Sequence, residues 1–459
     1  MRRAIARAMR CGASYSDLYF ENTEIRSIKL RDGAVASCSC HIDCGTGVRA
    51  LDGERTGYSY CESTDVADIL RAADAASTIA AGKASAASKM LAAAAIPATS
   101  CVHIPSFYGE ALPWEDVQMD AMVQILNDLE ARLRAADVRI TKVSAGISCS
   151  RSSVVMYNSL GQLCADERPM GSISATIVFT DGKLTESRSA SRSFRAGAEI
   201  LTREDLVADL LRGIEPMLQA GRPKGGTMPV VIASGAGGIL LHEAMGHAFE
   251  ADFNRKDQSA FSHRMGSQIC PKGIFIVDDA TFPGNRGACN VDDEGVPGQK
   301  TYMVTDGILT SYLHDRISAA HYGVAPTGNG RRESFRFEPI PRMRLTYMEN
   351  GTTAPADIIS SVKKGIYVDE FSNGEVQIGQ GDFTFYVKSG YLIENGRLGA
   401  PIKDINIMGN GPQCLQDIRA VGNDLRIDNS RWICGKGQSV PVGCGMPTVL
   451  VGALTVGGD

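Results

Sequence analysis

The sequence predicts an α+β protein: an α/β N-terminal half of helices and short antiparallel strands, then a β-rich C-terminal domain with one helix that offers metal ligands. Two patterns in the 459 residues support this fold class. Apolar residues recur at helical spacing in the first half, most clearly over 114–136, where Pro113 marks the start. Turn dipeptides typical of hairpins recur along the chain at Asp32-Gly33, Asp181-Gly182, Asp306-Gly307, Asn350-Gly351, Asn373-Gly374 and Asn395-Gly396.

Breaks in these patterns divide the chain into three predicted domains. Pro97 interrupts an alanine-rich stretch, and a glycine-rich linker begins at Gly221. The predicted domains are 1–98 (an N-terminal α/β domain with an alanine-rich helical segment), 99–223 (a middle α/β domain) and 224–459 (a β-rich C-terminal domain).

Local sequence predicts further elements in chain order. A short amphipathic helix fits 1–10, and a helix is expected over 65–95 because alanine is the strongest helix former. The remaining predictions are strands within 15–28, 140–157, 172–191 and 228–233 and a helix over 206–220.

Bulk composition is typical of a globular protein, with 44% hydrophobic and 22% charged residues. The formal net charge of −5 gives no indication of a nucleic-acid or anionic-membrane partner. No apolar run in the sequence is long enough to span a bilayer. The thirteen cysteines are scattered without a C-x-x-C pair, which predicts free thiols in a reducing cytoplasm.

One local group, Cys38, Cys40, His41 and Cys44, has the residue types of a metal site. On a strand, the three cysteines share one face and His41 points to the other. Cys38 and Cys44 would also lie about 20 Å apart at ~3.3 Å per residue, whereas zinc binds sulfur at ~2.3 Å. The preferred interpretation is small buried thiols on a strand, and a metal site would require a tight turn at Asp43.

The most informative stretch is His-Glu-Ala-Met-Gly-His at 242–247, which follows the glycine-rich stretch 234–238 in a chain with seven histidines. Two imidazoles can hold a zinc-like cation, and the Glu243 carboxylate can take a proton from metal-bound water. The common zinc-protease pattern, H-E-x-x-H, places its histidines four apart on one helical face. Here they are five apart, so the pattern is H-E-x-x-x-H.

Five steps leave the two histidine rings roughly 140° apart on an ideal helix. Both rings can reach one metal only if the helix unwinds or carries a π-bulge, a feature often found at functional sites. Gly246 lies where such a distortion is easiest. The alternative is an ordinary helix with one buried and one exposed histidine.

A catalytic zinc usually has three protein ligands, so the motif requires a third. Glu250 is close in sequence to His247, and Cys434 lies beside Lys436, whose charge favours the thiolate. Spacing alone does not choose among the candidates, which are Glu250, His263, Cys270, His314, His321, Cys414, Cys434 and Cys444.

Four segments of the C-terminal domain resemble the signature of the TldD/PmbA family of metallopeptidases. They are His-Glu-Ala-Met-Gly-His (242–247) with Phe-Glu-Ala-Asp-Phe-Asn (249–254), Asn-Val-Asp-Asp-Glu-Gly-Val-Pro-Gly (290–298), Gly-Val-Ala-Pro-Thr-Gly-Asn-Gly-Arg-Arg (323–332) and Ile-Cys-Gly-Lys-Gly-Gln-Ser-Val-Pro-Val-Gly (433–443). Residues 12–20 are similar to the family's opening strand. The chain keeps both the histidine motif and the late cysteine, so it resembles the TldD-like catalytic branch.

The resemblance implies a metal held by His242, His247 and Cys434, with Glu243 as the general base that activates metal-bound water. It implies zinc, with iron as the alternative, and hydrolysis of short or unfolded peptides inside a closed cavity. It also implies a heterodimer with a metal-free PmbA/TldE-like paralogue, a homodimer being the alternative. Two other functions stay open: a non-catalytic peptide-binding or assembly subunit, and a metal-dependent amidase acting on small non-peptide substrates.

Two further pairs of charged residues each have two interpretations. Arg331 and Arg332 either bind a peptide carboxylate or are surface arginines near a turn. Glu250 and Asp252 either orient the metal histidines or cap the end of the helix.

An extended peptide is expected to bind by adding a strand to an exposed sheet edge.

Overall fold

The first half of the chain forms one large sheet with helices packed on it. The structure is a computed structural model that describes residues 1–81, 96–109, 112–202, 205–235 and 237–458. The helices of this half are α1 (Arg2–Ala8), α2 (Val66–Ala81), α3 (Met119–Ala136), α4 (Val207–Arg212) and α5 (Ile214–Gln219). Its strands are β1 (Tyr15–Arg31), β2 (Ala34–Asp52), β3 (Arg55–Cys61), β4 (Ser100–Cys101), β5 (Ile140–Asn158), β6 (Gln162–Thr180) and β7 (Thr185–Phe194).

The strands of this sheet run in the order β3-β2-β1-β5-β6-β4, with β7 also paired to β6. β1, β2, β5 and β6 are 17 to 19 residues long, longer than the short strands expected, because each pairs with a neighbour along most of its length. The pairing of β1 with β5 joins strands from the predicted domains 1–98 and 99–223 in one sheet. The domain limits themselves stay predictions.

The predicted helices are present with shifted ends. A short 3₁₀ turn, Trp114–Asp116, follows Pro113, so the long helix α3 begins only at Met119. Gly213 divides the predicted helix over 206–220 into α4 and α5. The predicted helix over 65–95 corresponds to α2, and residues 82–95 lie outside the described residues.

The prediction of buried thiols at Cys38, Cys40 and Cys44 is wrong. They lie on β2 as expected, but all three are exposed. The reason is that this end of β2 pairs only with β1, because β3 joins β2 from Thr46 onward, and residues 34–42 are exposed on both faces. These cysteines and His41 form no metal-ligand group in the part of the chain that the structure describes.

In the part of the chain that the structure describes, the second half contains most of the strands and five short α-helices. The helices are α6 (Gly238–Leu241), α7 (Ala251–Asn254), α8 (Arg316–Tyr322), α9 (Pro355–Ser360) and α10 (Gly411–Gln416). The strands are β8 (Gly226–Ile232), β9 (Ile276–Asp279), β10 (Lys300–Thr305), β11 (Ile308–Leu309), β12 (Gly330–Arg331), β13 (Ile340–Pro341), β14 (Leu345–Met348), β15 (Lys364–Gln377), β16 (Asp382–Glu394), β17 (Arg397–Ile402), β18 (Ile405–Asn410), β19 (Ile418–Val421), β20 (Arg426–Asp428), β21 (Ile433–Gly435), β22 (Ser439–Pro441), β23 (Gly443–Met446) and β24 (Val449–Val456).

Two sheets organise this half. One runs β11-β10-β9-β14-β23-β20. The other runs β15-β8-β24-β18-β16-β17, with β19 on β24, and it closes into a ring because β15 also pairs with β16. Two hairpin-like pairs, β12-β13 and β21-β22, stand apart from these sheets. The predicted α+β class with a β-rich second half is confirmed.

Four of the six predicted hairpin turns are present, and two are wrong. Asn350-Gly351 lies between β14 and α9, and Asn373-Gly374 lies inside β15, which continues through it. In both cases the glycine allows close packing. A Cβ on Gly374 would lie 2.2 Å from the Phe385 ring, and a Cβ on Gly351 would lie 2.2 Å from the Val421 carbonyl oxygen.

Buried ion pairs join the two halves through the acidic run in 290–298. Arg168 on β6 donates to Asp293 at 2.6 Å, and Arg49 on β2 lies 2.7 Å from Glu294. Removing one member of such a pair would leave an uncompensated buried charge. This motif therefore holds the N-terminal sheet against the C-terminal domain.

No helix among the described residues is long and apolar enough to cross a membrane.

The pH dependence of stability tests how His314 is packed in the C-terminal domain. It is buried beside the rings of Tyr312 and Tyr322, and burial lowers its pKa to about 4. The unfolded chain binds the proton near pH 6.5 and the folded chain does not, so stability falls as pH drops from about 7 to 4. We expect His314→Gln to remove a pH-dependent loss of about 3 kcal/mol.

The measurement is urea unfolding of wild type and His314→Gln at several pH values between 4 and 8, taking the difference at each pH. The exposed His263 gives the matched control, His263→Gln. A wild-type-minus-variant difference that does not change with pH would show that burial does not suppress the charge of His314.

Candidate metal centre

The histidine motif follows β8 and α6 and adopts an unusual helical form. Residues His242–Gly246 are π-helical, and the His247 N–H donates to the His242 carbonyl five residues earlier. A 3₁₀ turn, His247–Phe249, follows directly. The distortion predicted from the five-residue spacing is therefore present. The ordinary-helix alternative is wrong, because both histidines are buried, at 1% and 5% exposure.

Packing explains why the chain accepts this distortion. Leu240 and Leu241 before the motif and Phe249 after it lie in the core formed with the closed sheet, which holds the segment on both sides of the motif. Gly246 faces Met343, and a Cβ at this position would lie 2.1 Å from the Met343 sulfur. The absence of a side chain thus lets the π-helical turn approach the segment that follows β13.

Cys434 reaches the motif from a distant part of the sequence. It lies on β21, paired with Val440 on β22. Arg342, fully buried, donates to the carbonyl oxygens of Cys434 at 2.7 Å and of Gln438 at 2.8 Å. Since one guanidinium holds both ends of the turn, the hairpin is fixed relative to the histidines.

The structure brings the side chains of His242, His247 and Cys434 together. The Cys434 sulfur lies 3.2 Å from His242 Nε2 and 3.1 Å from His247 Nε2. Ligand atoms of all three lie within 4.8 Å of one another, the one such group in the described residues. These separations and this donor set fit a cation with bonds of ~2.0 to 2.3 Å to nitrogen and sulfur.

The charges of the cluster favour the metal-binding form of the thiol. Burial by itself would raise the pKa of Cys434, but His242 and His247 lower it to about 4. Burial would likewise lower the pKa of His247, but Glu250 and Cys434 raise it to about 10. The thiolate is therefore formed before a cation arrives, with an imidazolium as its counter-charge.

Glu250 fixes the orientation of His247 through Nδ1, the ring nitrogen that faces away from Cys434. Its carboxylate is fully buried and lies 3.0 Å from His247 Nδ1 and 3.0 Å from the Lys436 ammonium. Burial would raise its pKa, but Lys436, His247 and Arg342 hold that pKa well below its usual range. An Nδ1–H donated to this carboxylate directs Nε2 toward the cysteine, where it can bind a cation once its own proton is released.

Among the described residues, Asp252 contacts the site through Lys436, which donates to it at 2.7 Å. Of the two interpretations made for Glu250 and Asp252, orientation of a histidine therefore fits Glu250 directly. Asp252 instead positions the lysine that neutralises Glu250.

Glu243 lies at the solvent side of the cluster. Its carboxylate is 3.8 Å from His247 Nε2, and its side chain keeps 22% exposure. A carboxylate beside the ligand atoms and still open to solvent can exchange a proton with water there.

The other candidates for a third ligand are elsewhere. Glu250 faces Nδ1 of His247, on the side away from the cysteine. His263, Cys270, His314, His321, Cys414 and Cys444 are not part of the cluster. The role of Arg342 is not predictable from the sequence, because nothing in the local pattern around it indicates a contact with Cys434.

The interpretation of Arg331 and Arg332 as surface arginines is wrong, since they are 4% and 5% exposed. Arg331 donates to the carbonyls of Met343 and Pro441. Arg332 donates to the Asp293 carbonyl at 3.1 Å. Arg332 also lies 3.6 Å from Asp17 of β1, where the two halves meet, whereas both of these partners of Arg331 belong to the C-terminal half.

Comparisons with known proteins agree with this architecture. Residues 16–80, 112–212 and 225–458 match the family models for PmbA/TldA metallopeptidase domain 1, the central domain and the C-terminal domain. A relative in Haemophilus influenzae, named a metalloprotease TldD homolog, is 37% identical, covering 97% of this chain and 93% of its own. A zinc metalloprotease TldD homolog of Saccharolobus solfataricus is 31% identical over 66% of this chain and 68% of its own.

Solved structures share the fold at low sequence identity. A crystal structure from Thermotoga maritima has a TM-score of 0.79 at 20% identity, covering 99% of each chain. The structure of TldE from Thermococcus kodakarensis has a TM-score of 0.75 at 18% identity, covering 100% of each chain. The likeness therefore extends over the whole length of the chain.

The position of Glu250 gives a test of the cluster. We expect Glu250→Gln to lower the free energy of unfolding by about 3 to 5 kcal/mol, because Lys436 and Arg342 lose their counter-charge. Zinc affinity should fall by about 10- to 100-fold, because His247 loses the partner that orients it. Urea unfolding and competition with a chromogenic chelator measure the two effects.

Asp252→Asn is the matched control, because it removes an acidic partner of Lys436 that does not touch a histidine. It should retain zinc affinity within about threefold. Equal losses of zinc affinity in the two variants would mean that Glu250 contributes only general charge.

Proposed function

This chain belongs to the PmbA/TldD metallopeptidase family, and on that premise we propose that it is a metal-dependent peptidase acting on short or unfolded peptides. The observation that carries the proposal is the buried cluster of His242, His247 and Cys434 with Glu243 at its open side. Two imidazoles, a thiolate and a nearby carboxylate are the groups that metal-assisted hydrolysis requires.

The ion proposed for the cluster is zinc, with iron as the alternative. Zinc suits a site of two histidines and one cysteine, and the relative in Saccharolobus solfataricus is named a zinc metalloprotease. When bound, such an ion lowers the pKa of a coordinated water and polarises a substrate carbonyl. His242, His247 and Cys434 would hold it, and the low pKa of Cys434 supports that role.

The remaining steps belong to groups of this chain. Glu243 takes a proton from the attacking water and delivers it to the leaving amine, work typically worth about 10²- to 10⁴-fold in rate. Glu250 holds His247 through Nδ1, and Lys436 keeps Glu250 ionised. The buried hairpin side of the site excludes water from Cys434, which is 3% exposed.

The free edge of the hairpin supports an extended substrate. Among the described strands, β21 pairs only with β22, so one edge of the strand that carries Cys434 has no strand beside it. A peptide that adds to such an edge is oriented by main-chain hydrogen bonds. That mode would place successive peptide groups along the cluster and favours peptides over small amides.

The proposal includes a partner and a compartment. A TldE-like paralogue is the proposed partner, with a homodimer as the alternative, and a solved TldE has the same fold. A reducing cytoplasm is proposed because all thirteen cysteines are free, and Cys434 must stay a thiol to bind metal.

Metal content tests the ligand set. We expect about one zinc or iron per chain in wild type and a large loss in Cys434→Ser, because a hydroxyl is a poor substitute for a thiolate. Elemental mass spectrometry of protein purified without chelators is the measurement. Cys40→Ser, an exposed cysteine outside the cluster, should retain the metal. Wild type and both variants equally free of metal would contradict the proposed ligand set.

Cleavage of an unfolded reporter peptide tests the general base. Glu243→Gln should keep its metal and lose about 10²- to 10⁴-fold in kcat, because an amide cannot accept the proton. Glu375→Gln, an exposed glutamate on β15, is the control and should cut at the wild-type rate. If Glu243→Gln also cuts at that rate, another group is the base.

A further inference from the structure

A cavity of about 360 Å³ lies between the N-terminal sheet and the hairpin that carries Cys434. Its walls include residues of β1, β5 and β6 on one side and Ile433, Val440 and Pro441 of the hairpin on the other. Ile433 is the neighbour of Cys434 in the chain, and Val440 is its partner across the hairpin. The cavity and the candidate metal centre therefore share this hairpin.

Arginines dominate the charge of this cavity. Seven arginines line it against three acidic residues, Glu21, Asp293 and Glu333, a formal surplus of four positive charges (7 − 3). The seven are Arg168, Arg195, Arg286, Arg331, Arg332, Arg344 and Arg431. A cavity of this sign attracts anions and stabilises them once bound.

The acids of the cavity neutralise only part of this charge. Asp293 pairs with Arg168 at 2.6 Å and accepts from the backbone of Arg332 at 2.8 Å. The guanidinium group of Arg332 lies 3.6 Å from Asp17. The guanidinium groups of the remaining five arginines have no carboxylate within 4.0 Å in the described chain; these are Arg195, Arg286, Arg331, Arg344 and Arg431. The surplus positive charge therefore belongs to these five side chains and is not spread evenly over the wall of the cavity.

Three of these unpaired arginines are buried and held in place by neutral acceptors. Arg286 donates to the Trp432 carbonyl at 2.9 Å, Arg331 to the Pro441 carbonyl at 2.7 Å, and Arg344 to the Gly328 carbonyl at 2.8 Å. Carbonyl groups orient a guanidinium but do not cancel its charge. Burial, with Arg431 and Arg195 nearby, lowers the pKa of Arg286 to about 9. Since arginine stays protonated in proteins, the buried positive charge of Arg286 lowers the stability of the fold. A bound anion would offset that loss.

We propose that the cavity binds a carboxylate of the peptide substrate, either its C-terminus or an acidic side chain, and makes the site selective for negatively charged peptides. Guanidinium forks match a carboxylate with two parallel hydrogen bonds. The cavity and the candidate metal centre share this hairpin, so we infer that a peptide held at the centre reaches the cavity with its carboxylate. The inference rests on the proposed peptidase function for its ligand and adds a substrate class to it.

The test uses four peptides of one unfolded sequence. One pair differs only in its C-terminus, carboxylate or amide; the other pair, both amidated, carries Glu or Gln at one internal position. Binding is measured by fluorescence anisotropy on full-length Glu243→Gln protein, so that no cleavage occurs. Cleavage of the same peptides by the protein with Glu243 intact gives kcat/KM separately.

We expect the charged member of at least one pair to bind on the order of tenfold more tightly than its neutral match. Arg286→Gln and Arg431→Gln should each reduce that preference severalfold, and Arg431 is exposed, so its replacement does not threaten folding. Arg397→Gln, an exposed arginine at the start of β17, is the control and should keep the preference.

The pair that shows the preference identifies the source of the carboxylate, C-terminus or side chain. Equal binding of both members in both pairs, or a preference that survives both substitutions, overturns the inference. A protein that cuts neutral and charged peptides alike would keep the proposed function and lose this selectivity. A protein that binds charged peptides selectively but cuts none would keep the cavity's role and lose the peptidase.

Discussion

The candidate site depends on one buried carboxylate, that of Glu250. A charge with no exposure to solvent is stable only when it is paired, and here its partners come from three separate segments. His247 begins the 3₁₀ turn directly after the π-helical turn, Lys436 belongs to the Cys434 hairpin, and Arg342 to the stretch after β13. Moving any one of the three would leave charge uncompensated in the core. The arrangement that neutralises Glu250 is also the one that brings the ligand atoms together.

The π-helical turn solves a problem of spacing that the sequence poses. Histidines five apart diverge on an α-helix, and an i to i+5 hydrogen bond realigns them. A π-bulge is less favourable than a continuous α-helix and needs support from its surroundings. Gly246 and the buried leucines supply it, because the backbone can approach Met343 without a side chain between them.

The joint between the two halves combines neutralised and surplus charge. Asp293 and Glu294 are matched by Arg168 and Arg49, which fixes the N-terminal sheet in place. The neighbouring cavity has more arginines than acids, so the same joint can both hold the fold and attract an anion. Surplus charge that is buried lowers stability, and an anion bound beside the candidate metal centre would offset that loss.

The sequence by itself determined the type of most elements, the need for a helical distortion at 242–247, and the free state of the thiols. These follow from local periodicity and residue chemistry, which act over a few residues. Only the tertiary structure decided that Cys434 is the side chain beside the histidines, that Arg331 is buried, and that Cys38 is exposed. Each of these depends on contacts between segments far apart in the chain, and spacing within one segment carries no information about them. The family resemblance pointed to Cys434, while the physical reason for its position is the Arg342 clamp.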